Sequence, residues 1–210
     1  INCVFVGNLA TQEGGGMYNY NASHPRLINC TMEGNQSSGV GTAIRNFLQS
    51  NSALNSFSTL TNCILWNNVR VGEENSFRTI WGRVTAINSL IQEENGFLDG
   101  RDYNNDPLFV QKTNFANPSV VPNLRLQICS PLRNRGNNDA DIDGAIGSQT
   151  IADIATDVTG NPRVFDGTID LGAYEMQTIP NATTYTGDII YVNAAVVGGA
   201  KNGTSWQNAY

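Results

Sequence analysis

An all-β solenoid, a right-handed parallel β-helix, is the fold class this sequence predicts, and three observations predict it. First, one phrase recurs: Ile1-Asn2-Cys3-Val4-Phe5-Val6-Gly7-Asn8 returns as Ile28-Asn29-Cys30-Thr31-Met32-Glu33-Gly34-Asn35 and as Thr61-Asn62-Cys63-Ile64-Leu65-Trp66-Asn67-Asn68, with a degenerate copy at Ile87-Asn88-Ser89-Leu90-Ile91-Gln92. The spacing is 27 from Cys3 to Cys30, 33 from Cys30 to Cys63 and 26 from Cys63 to Ser89. A period of this length marks stacked repeat architectures. Second, each copy alternates. Ile1, Cys3 and Phe5, then Ile28, Cys30 and Met32, then Thr61, Cys63 and Leu65, then Ile87, Ser89 and Ile91 share one face, and Asn2, Asn29, Asn62 and Asn88 begin the other. Such alternation belongs to a strand with one buried face. Third, an independent phrase keeps the same offset: Gly14-Gly15-Gly16-Met17-Tyr18-Asn19 aligns with Gly41-Thr42-Ala43-Ile44-Arg45-Asn46.

Residues 1–104 are read as the β-helix coils. In register, Cys3, Cys30, Cys63 and Ser89 form an inward column of small side chains, with Met17 and Ile44 facing inward elsewhere. Asn8, Asn35 and Asn68 each follow a cysteine by five residues. They are expected to stack at a corner, where Asn tolerates the left-handed backbone and its amides hydrogen-bond along the column. Handedness follows the rule for parallel crossovers. No amphipathic helical stretch is present, because Gly, Asn, Ser and Thr are frequent throughout. The leucine-dense pattern of a leucine-rich repeat is missing.

With 210 residues the chain is long enough to bury a core. A formal net charge of −6 argues against a nucleic-acid surface. Lys112 and Lys201 are the only lysines, and charged residues make up 14%, as in many secreted β-rich proteins. No stretch approaches the roughly 20 apolar residues of a membrane helix, so no membrane insertion is expected. Cys3, Cys30, Cys63 and Cys129 are read as small hydrophobes. Column neighbours sit about one strand spacing apart, a poor geometry for a disulfide, and there is no C-x-x-C pair for a metal.

Beyond the coils other phrases take over: Asp106-Pro107-Leu108-Phe109-Val110, Leu124-Arg125-Leu126-Gln127-Ile128-Cys129-Ser130-Pro131, Gly160-Asn161-Pro162-Arg163 and Asp170-Leu171-Gly172-Ala173-Tyr174-Glu175. In this order, and with the N-C-x-F-x-G-N and G-G-G-x-Y-N repeats, they resemble bacterial surface β-helix proteins of the pectate-lyase-like superfamily that end in a choice-of-anchor region. The resemblance spans roughly residues 1–176, and Cys129 departs from the small residue usual at its position. It implies an adhesin-like or structural role outside the cell, and it sets residues 105–176 as the terminal β-helix and choice-of-anchor-like region. Residues 177–187 read as a Pro/Asn/Thr linker. Residues 188–210 are similar to the opening phrase of another such module. Tyr191, Val192 and Trp206 are accordingly expected to contact a neighbouring module or subunit.

Enzymes of this architecture are the main rival. Glycoside hydrolysis needs two carboxylates flanking a groove, and a lyase needs a tuned base, usually with Ca²⁺ held by clustered acids. The Asp-Asp, Gly-His-Gly and Arg-x-Lys signatures of the hydrolases are absent, as are G-x-S-x-G and the P-loop. The single histidine, His24, precedes a proline in a loop and reads as solvated. Asp139, Asp141 and Asp143 alternate before Gly144, an arrangement fitting a loose Ca²⁺ loop; a solvated acidic turn fits equally, since Thr150 stands where an EF-hand has Glu. Five N-glycosylation sequons, at Asn21, Asn29, Asn35, Asn181 and Asn202, carry little weight in a bacterial-looking chain. Trp66 and Trp81 are either sugar-stacking aromatics or covered by a loop such as Val69–Thr79.

The function expected is that of a non-catalytic extracellular module of a large bacterial surface protein, serving as a spacer, stalk or filament subunit. Its partners are neighbouring copies or modules joined end to end, and possible further ones are surface glycans. No cofactor beyond Ca²⁺ is expected. The alternatives are a carbohydrate-active enzyme whose catalytic coils lie outside residues 1–210, and a glycan-binding adhesin.

Overall fold

Alternation in the repeated phrase becomes four parallel sheets visited in cyclic order. In a computed structural model that describes residues 1–73, 78–92, 106–117, 120–143 and 149–178, the first circuit comprises β1 (Val4–Val6), β2 (Leu9–Ala10), β3 (Met17–Asn19) and β4 (Arg26–Ile28). The second comprises β5 (Thr31–Glu33), β6 (Gln36–Ser37), β7 (Ile44–Asn46) and β8 (Phe57–Thr61). The third comprises β9 (Ile64–Trp66), β10 (Val69–Arg70), β11 (Ile80–Trp81) and β12 (Arg83–Ile87), and β13 (Leu90–Ile91) opens the next. The sheets run β1-β5-β9-β13, β2-β6-β10, β3-β7-β11 and β4-β8-β12. No α-helix occurs among the described residues, so none there is long and apolar enough to cross a membrane.

The register is the one the repeats require. Val4 pairs with Thr31 and Thr31 with Ile64, so Cys3, Cys30 and Cys63 fall in line; Met17 pairs with Ile44. Inside the circuits Leu27, Cys30, Met32, Ile44, Leu60, Cys63, Leu65 and Ile91 form one core, with Phe5 and Met17 partly buried at its first-circuit end. Each large side chain fully buried here contributes about 1.5–3 kcal/mol.

The corners differ from expectation. The left-handed residues are Asn2, Asn29, Asn62 and Asn88, with φ of 50°, 48°, 55° and 47°. They therefore turn the chain into the strand instead of starting its outer face. A second left-handed position follows each strand at Gly7 (φ 63°), Gly34 (φ 65°) and Asn67 (φ 54°). Asn8, Asn35 and Asn68 come one residue later and do not adopt that conformation.

The outward face of the first sheet is not left to solvent. The described residues between 106 and 178 supply no strand to the parallel sheets; β14 (Phe109–Gln111) and β15 (Asn123–Leu126) form an antiparallel pair. Phe109, Leu124, Leu126, Leu132 and Leu171 pack with Ile64 and Leu90 into a second core, against which Val4, Val6 and Trp66 also lie. A third, smaller core joins Ile28 to Ala140, Ile151 and Ile169. These contacts belong to the unit Ile1–Thr178; the remaining unit, Ile179–Tyr210, lies outside the described residues.

Candidate functional site

Three features follow from this frame: the asparagine ladders, the open edge of the first circuit, and a buried ionic clasp beneath the covering segment.

In the main ladder Asn8 Nδ2 donates to Asn35 Oδ1 at 2.7 Å, and Asn35 Nδ2 donates to Asn68 Oδ1 at 2.8 Å. The main chain joins in, with Asn8 N–H on Asn35 Oδ1 and Asn35 N–H on Asn68 Oδ1. Asn68 Nδ2 closes onto Met32 O and Trp66 O. Asn35 and Asn68 are fully buried, so each satisfies groups that water does not reach. A second ladder runs from Asn19 Nδ2 to Asn46 Oδ1 at 2.8 Å, and Asn46 Nδ2 continues to Ser58 Oγ. The cysteine column stands as three free thiols: Cys30 and Cys63 are buried, and Cys3 is exposed because nothing among the described residues stacks on its circuit. Burial in this apolar interior raises the Cys63 thiol well above its ordinary value.

At that end β1, β2, β3 and β4 each pair on one side only, with β5, β6, β7 and β8. The interior end face presents Cys3, Phe5 and Met17. A row of backbone groups without a partner strand is a template for another strand.

The clasp is the part that sequence reasoning missed. Arg163, from the Gly160–Arg163 phrase, is 0% exposed. Its Nη2 donates to Asp170 O (2.9 Å) and Gly172 O (3.0 Å). Asn29 Nδ2, at a corner of the parallel sheets, donates to the same two carbonyls. Gly172 N–H reaches Asn62 O, and Ala173 N–H reaches Thr31 Oγ1. Gly172 has φ 85°, and a Cβ there would stand 2.6 Å from Thr31 Oγ1, so glycine is needed for both conformation and contact. Around the guanidinium, Asp170 accepts the Asn134 and Met176 amides, Glu175 accepts the Asp170 amide, and Asp157 accepts the Glu175, Thr159 and Asn161 amides. The phrase Asp170–Glu175 thus fastens the cover onto the corner asparagines.

Burial, reinforced by the neighbouring Asp170 carboxylate, pushes Glu175 up to about 8. Arg163 Nη2 stands 3.7 Å away, too far for a hydrogen bond, with its protons on the two carbonyls. Its attraction therefore does not offset the burial. The folded protein keeps a proton on Glu175 that the unfolded chain releases near the ordinary glutamate value of about 4.3. The folded state binds more protons across this window, so stability falls as pH rises from about 4.3 to 8 and is level above it. Asp170 and Glu33, also raised by burial, tilt the profile the same way. Burial pushes Asp157 up too, but its amide and hydroxyl donors outweigh this and hold it below its ordinary value, so its contribution is lost only under acidic conditions. Glu175→Gln keeps an acceptor for the Asp170 amide. It is expected to flatten urea midpoints measured between about pH 5 and pH 8; a slope equal to wild type would refute the assignment.

The other candidates are dispersed. Asp141 bonds Arg26 through its carboxylate at 3.2 Å and through its carbonyl, and its Oδ1 accepts the Asp143 amide. Asp139 donates its amide to Asn137. Among the described residues no group of three or more His, Cys, Asp or Glu is placed to hold a metal, so Asp139, Asp141 and Asp143 do not converge on a cation site. His24 stacks on Phe57 at 3.9 Å between ring centroids. Trp66 is packed under the cover, whereas Trp81 is 42% exposed with Arg78 over its ring. Tyr191, Val192 and Trp206 lie outside the described residues. A cleft of about 570 Å³, lined by Arg125, Gln127, Asn161, Tyr174, Glu175 and Gln177 among others, opens beside the clasp.

No family model, no curated protein and no solved structure matches the chain.

Proposed function

We propose that this chain is a non-catalytic structural module, a right-handed parallel β-helix of a bacterial surface protein, joined end to end to further copies or modules outside the cell. One observation carries the reading: parallel circuits stacked in register and braced by asparagine ladders that run from one circuit to the next. Stiffness along the stack comes from ladders and core together, and the cover adds a lateral brace. Asp170 and Glu175, both raised by burial, are bonded to main-chain amides, which favours a structural role for them. Resemblance of the phrases to surface β-helix proteins supports the location.

Electron microscopy and sedimentation of the 210-residue protein test this. Concentration-dependent linear oligomers are expected, and Phe5→Lys, which places a charge on the open end face, is expected to abolish them while leaving the circular dichroism spectrum intact. Monomers at every concentration would refute end-to-end joining. Release of reducing ends or unsaturated sugars from acidic polysaccharides, with or without Ca²⁺, would overturn the non-catalytic assignment.

A further inference from the structure

The cleft beside the clasp carries chemistry that a structural role does not use. Its volume of about 570 Å³ falls within the roughly 300–1,000 Å³ of ligand sites. The one cation in its described lining is Arg125, on β15. The Arg125 guanidinium stands 5.3 Å from the centroid of the Tyr174 ring and makes no ion pair among the described residues, whereas Arg26, Arg45 and Arg70 each pair with a carboxylate. Glu175 in the same lining keeps its proton below about pH 8, so Arg125 sets the charge there at neutral pH. Three side-chain amides are each oriented by their own hydrogen bonds. Gln127 Nε2 donates to Phe109 O, and Gln177 Nε2 donates to Pro162 O and Glu175 O. Asn161 Nδ2 donates to Thr159 Oγ1, whose own proton is on Asp157 Oδ1. With the NH2 groups anchored, Gln127 Oε1, Gln177 Oε1 and Asn161 Oδ1 are the ends left to accept, and none takes a donor among the described residues. Val110 and Ile128, 53% and 48% exposed, add aliphatic surface.

We propose that this cleft binds the C-terminal carboxylate end of a partner peptide. Arg125 takes the carboxylate, the three amide oxygens take main-chain N–H donors, and Val110 and Ile128 receive an apolar side chain. Charge complementarity selects the carboxylate, because a guanidinium fork engages both of its oxygens. The ring contact with Tyr174 restricts the directions that fork takes before anything binds. The amide oxygens repel a carboxylate and attract N–H groups, so the charged end of the ligand is fixed at Arg125 and the donors lie along the rest. A peptide brings carboxylate, N–H donors and an apolar side chain together within its last residues. An acidic sugar brings a carboxylate and hydroxyl donors, but sugars are gripped by free aromatic faces, and the one aromatic ring in this lining is engaged by Arg125 and the second core. A phosphate ion matches neither the amide oxygens nor the aliphatic walls. The described lining belongs to the covering segment, so this site does not depend on end-to-end joining.

The test uses the 210-residue protein and an array of acetylated pentapeptides ending in Leu, Val, Phe, Asp or Lys, each made with a free carboxyl and as its C-terminal amide. Free-carboxyl peptides with an apolar last residue are expected to be retained about tenfold more than their amides. Arg125→Gln is expected to erase that preference, and Arg125→Lys to restore part of it. Ile128→Ser is expected to lower retention of the apolar-ended peptides about tenfold while leaving the preference for acid over amide. Both side chains are exposed, so urea midpoints of the variants are expected to match wild type, which separates lost binding from lost folding. Retention of no peptide, equal retention of acids and amides, or a preference unchanged by Arg125→Gln would overturn the proposal. Tighter binding of glucuronic acid oligomers than of any peptide in the array would overturn it as well.

Discussion

Arg163→Ala is expected to lower the stability of the 210-residue protein by about 3–5 kcal/mol, because it removes a fully buried cation from beside the Asp157 and Asp170 carboxylates. The fully buried Arg163 acts by its charge on Asp157, Asp170 and Glu175, and Arg133 also acts on Asp170. Arg163 Nη2 also holds the carbonyls of Asp170 and Gly172, which the Asn29 amide shares. Losing it removes both the charge and half of that bracket. Arg163→Lys is expected to recover only part of the loss, since one ammonium cannot reproduce the fork. Urea unfolding followed by tryptophan emission measures the effect, and Trp66 reports on the cover directly because it packs in the second core. Limited proteolysis supplies the location: cuts are expected in residues 120–143 before any in the parallel sheets. A loss below about 1 kcal/mol would contradict a clasp role, being the size of a surface pair.

Asn35→Ala is expected to cost about 2–4 kcal/mol, and Asn8→Ala less than about 1 kcal/mol, although both remove a ladder amide. The difference lies in what each leaves behind. Asn35 receives two bonds from Asn8 and gives side-chain bonds to Asn68 Oδ1 and Phe5 O. Its removal therefore takes a partner from Asn8 Nδ2 and Phe5 O and one of two donors from the buried Asn68 Oδ1. Asn8 is exposed and its side chain only donates among the described residues, so solvent replaces it. Equal losses at the two positions, measured by the same urea titration, would show that ladder bonds add nothing beyond ordinary surface contacts.

Most of the parallel sheets can be read from the repeats. The pairing of Val4 with Thr31, of Thr31 with Ile64 and of Met17 with Ile44 is the alignment of the phrases written in space. Backbone conformation at Asn2, Asn29, Asn62 and Asn88 was hidden because a conserved slot before a cysteine looks the same whether it starts a strand face or turns a corner. The outer face of the first sheet was hidden for another reason. Thr31 and Glu33 read as solvent-facing, yet both are buried. Glu33 accepts the Thr113 amide and hydroxyl and the Asn67 amide. Contacts between segments so distant in the chain leave no local signal. The clasp residues were visible as phrases, Gly160–Arg163 and Asp170–Glu175, but nothing in either phrase says that Arg163 points at the carbonyls of Asp170 and Gly172.

The asparagine ladders also have a direction. In each side-chain link from one ladder asparagine to the next, Asn8 to Asn35 and Asn35 to Asn68, the amide of the earlier circuit donates to the Oδ1 of the later one, and the Asn19–Asn46 pair points the same way. At the first-circuit end the ladder therefore presents an acceptor, the Asn8 Oδ1. Two such oxygens cannot complement one another, so the ladder itself is not continued by a symmetric meeting of two of these ends. A contact that continued the ladder would be heterologous, and a heterologous contact that does not close into a ring continues as an open polymer. Any limit on the length of such a polymer must come from something that occupies the terminus without presenting one of its own.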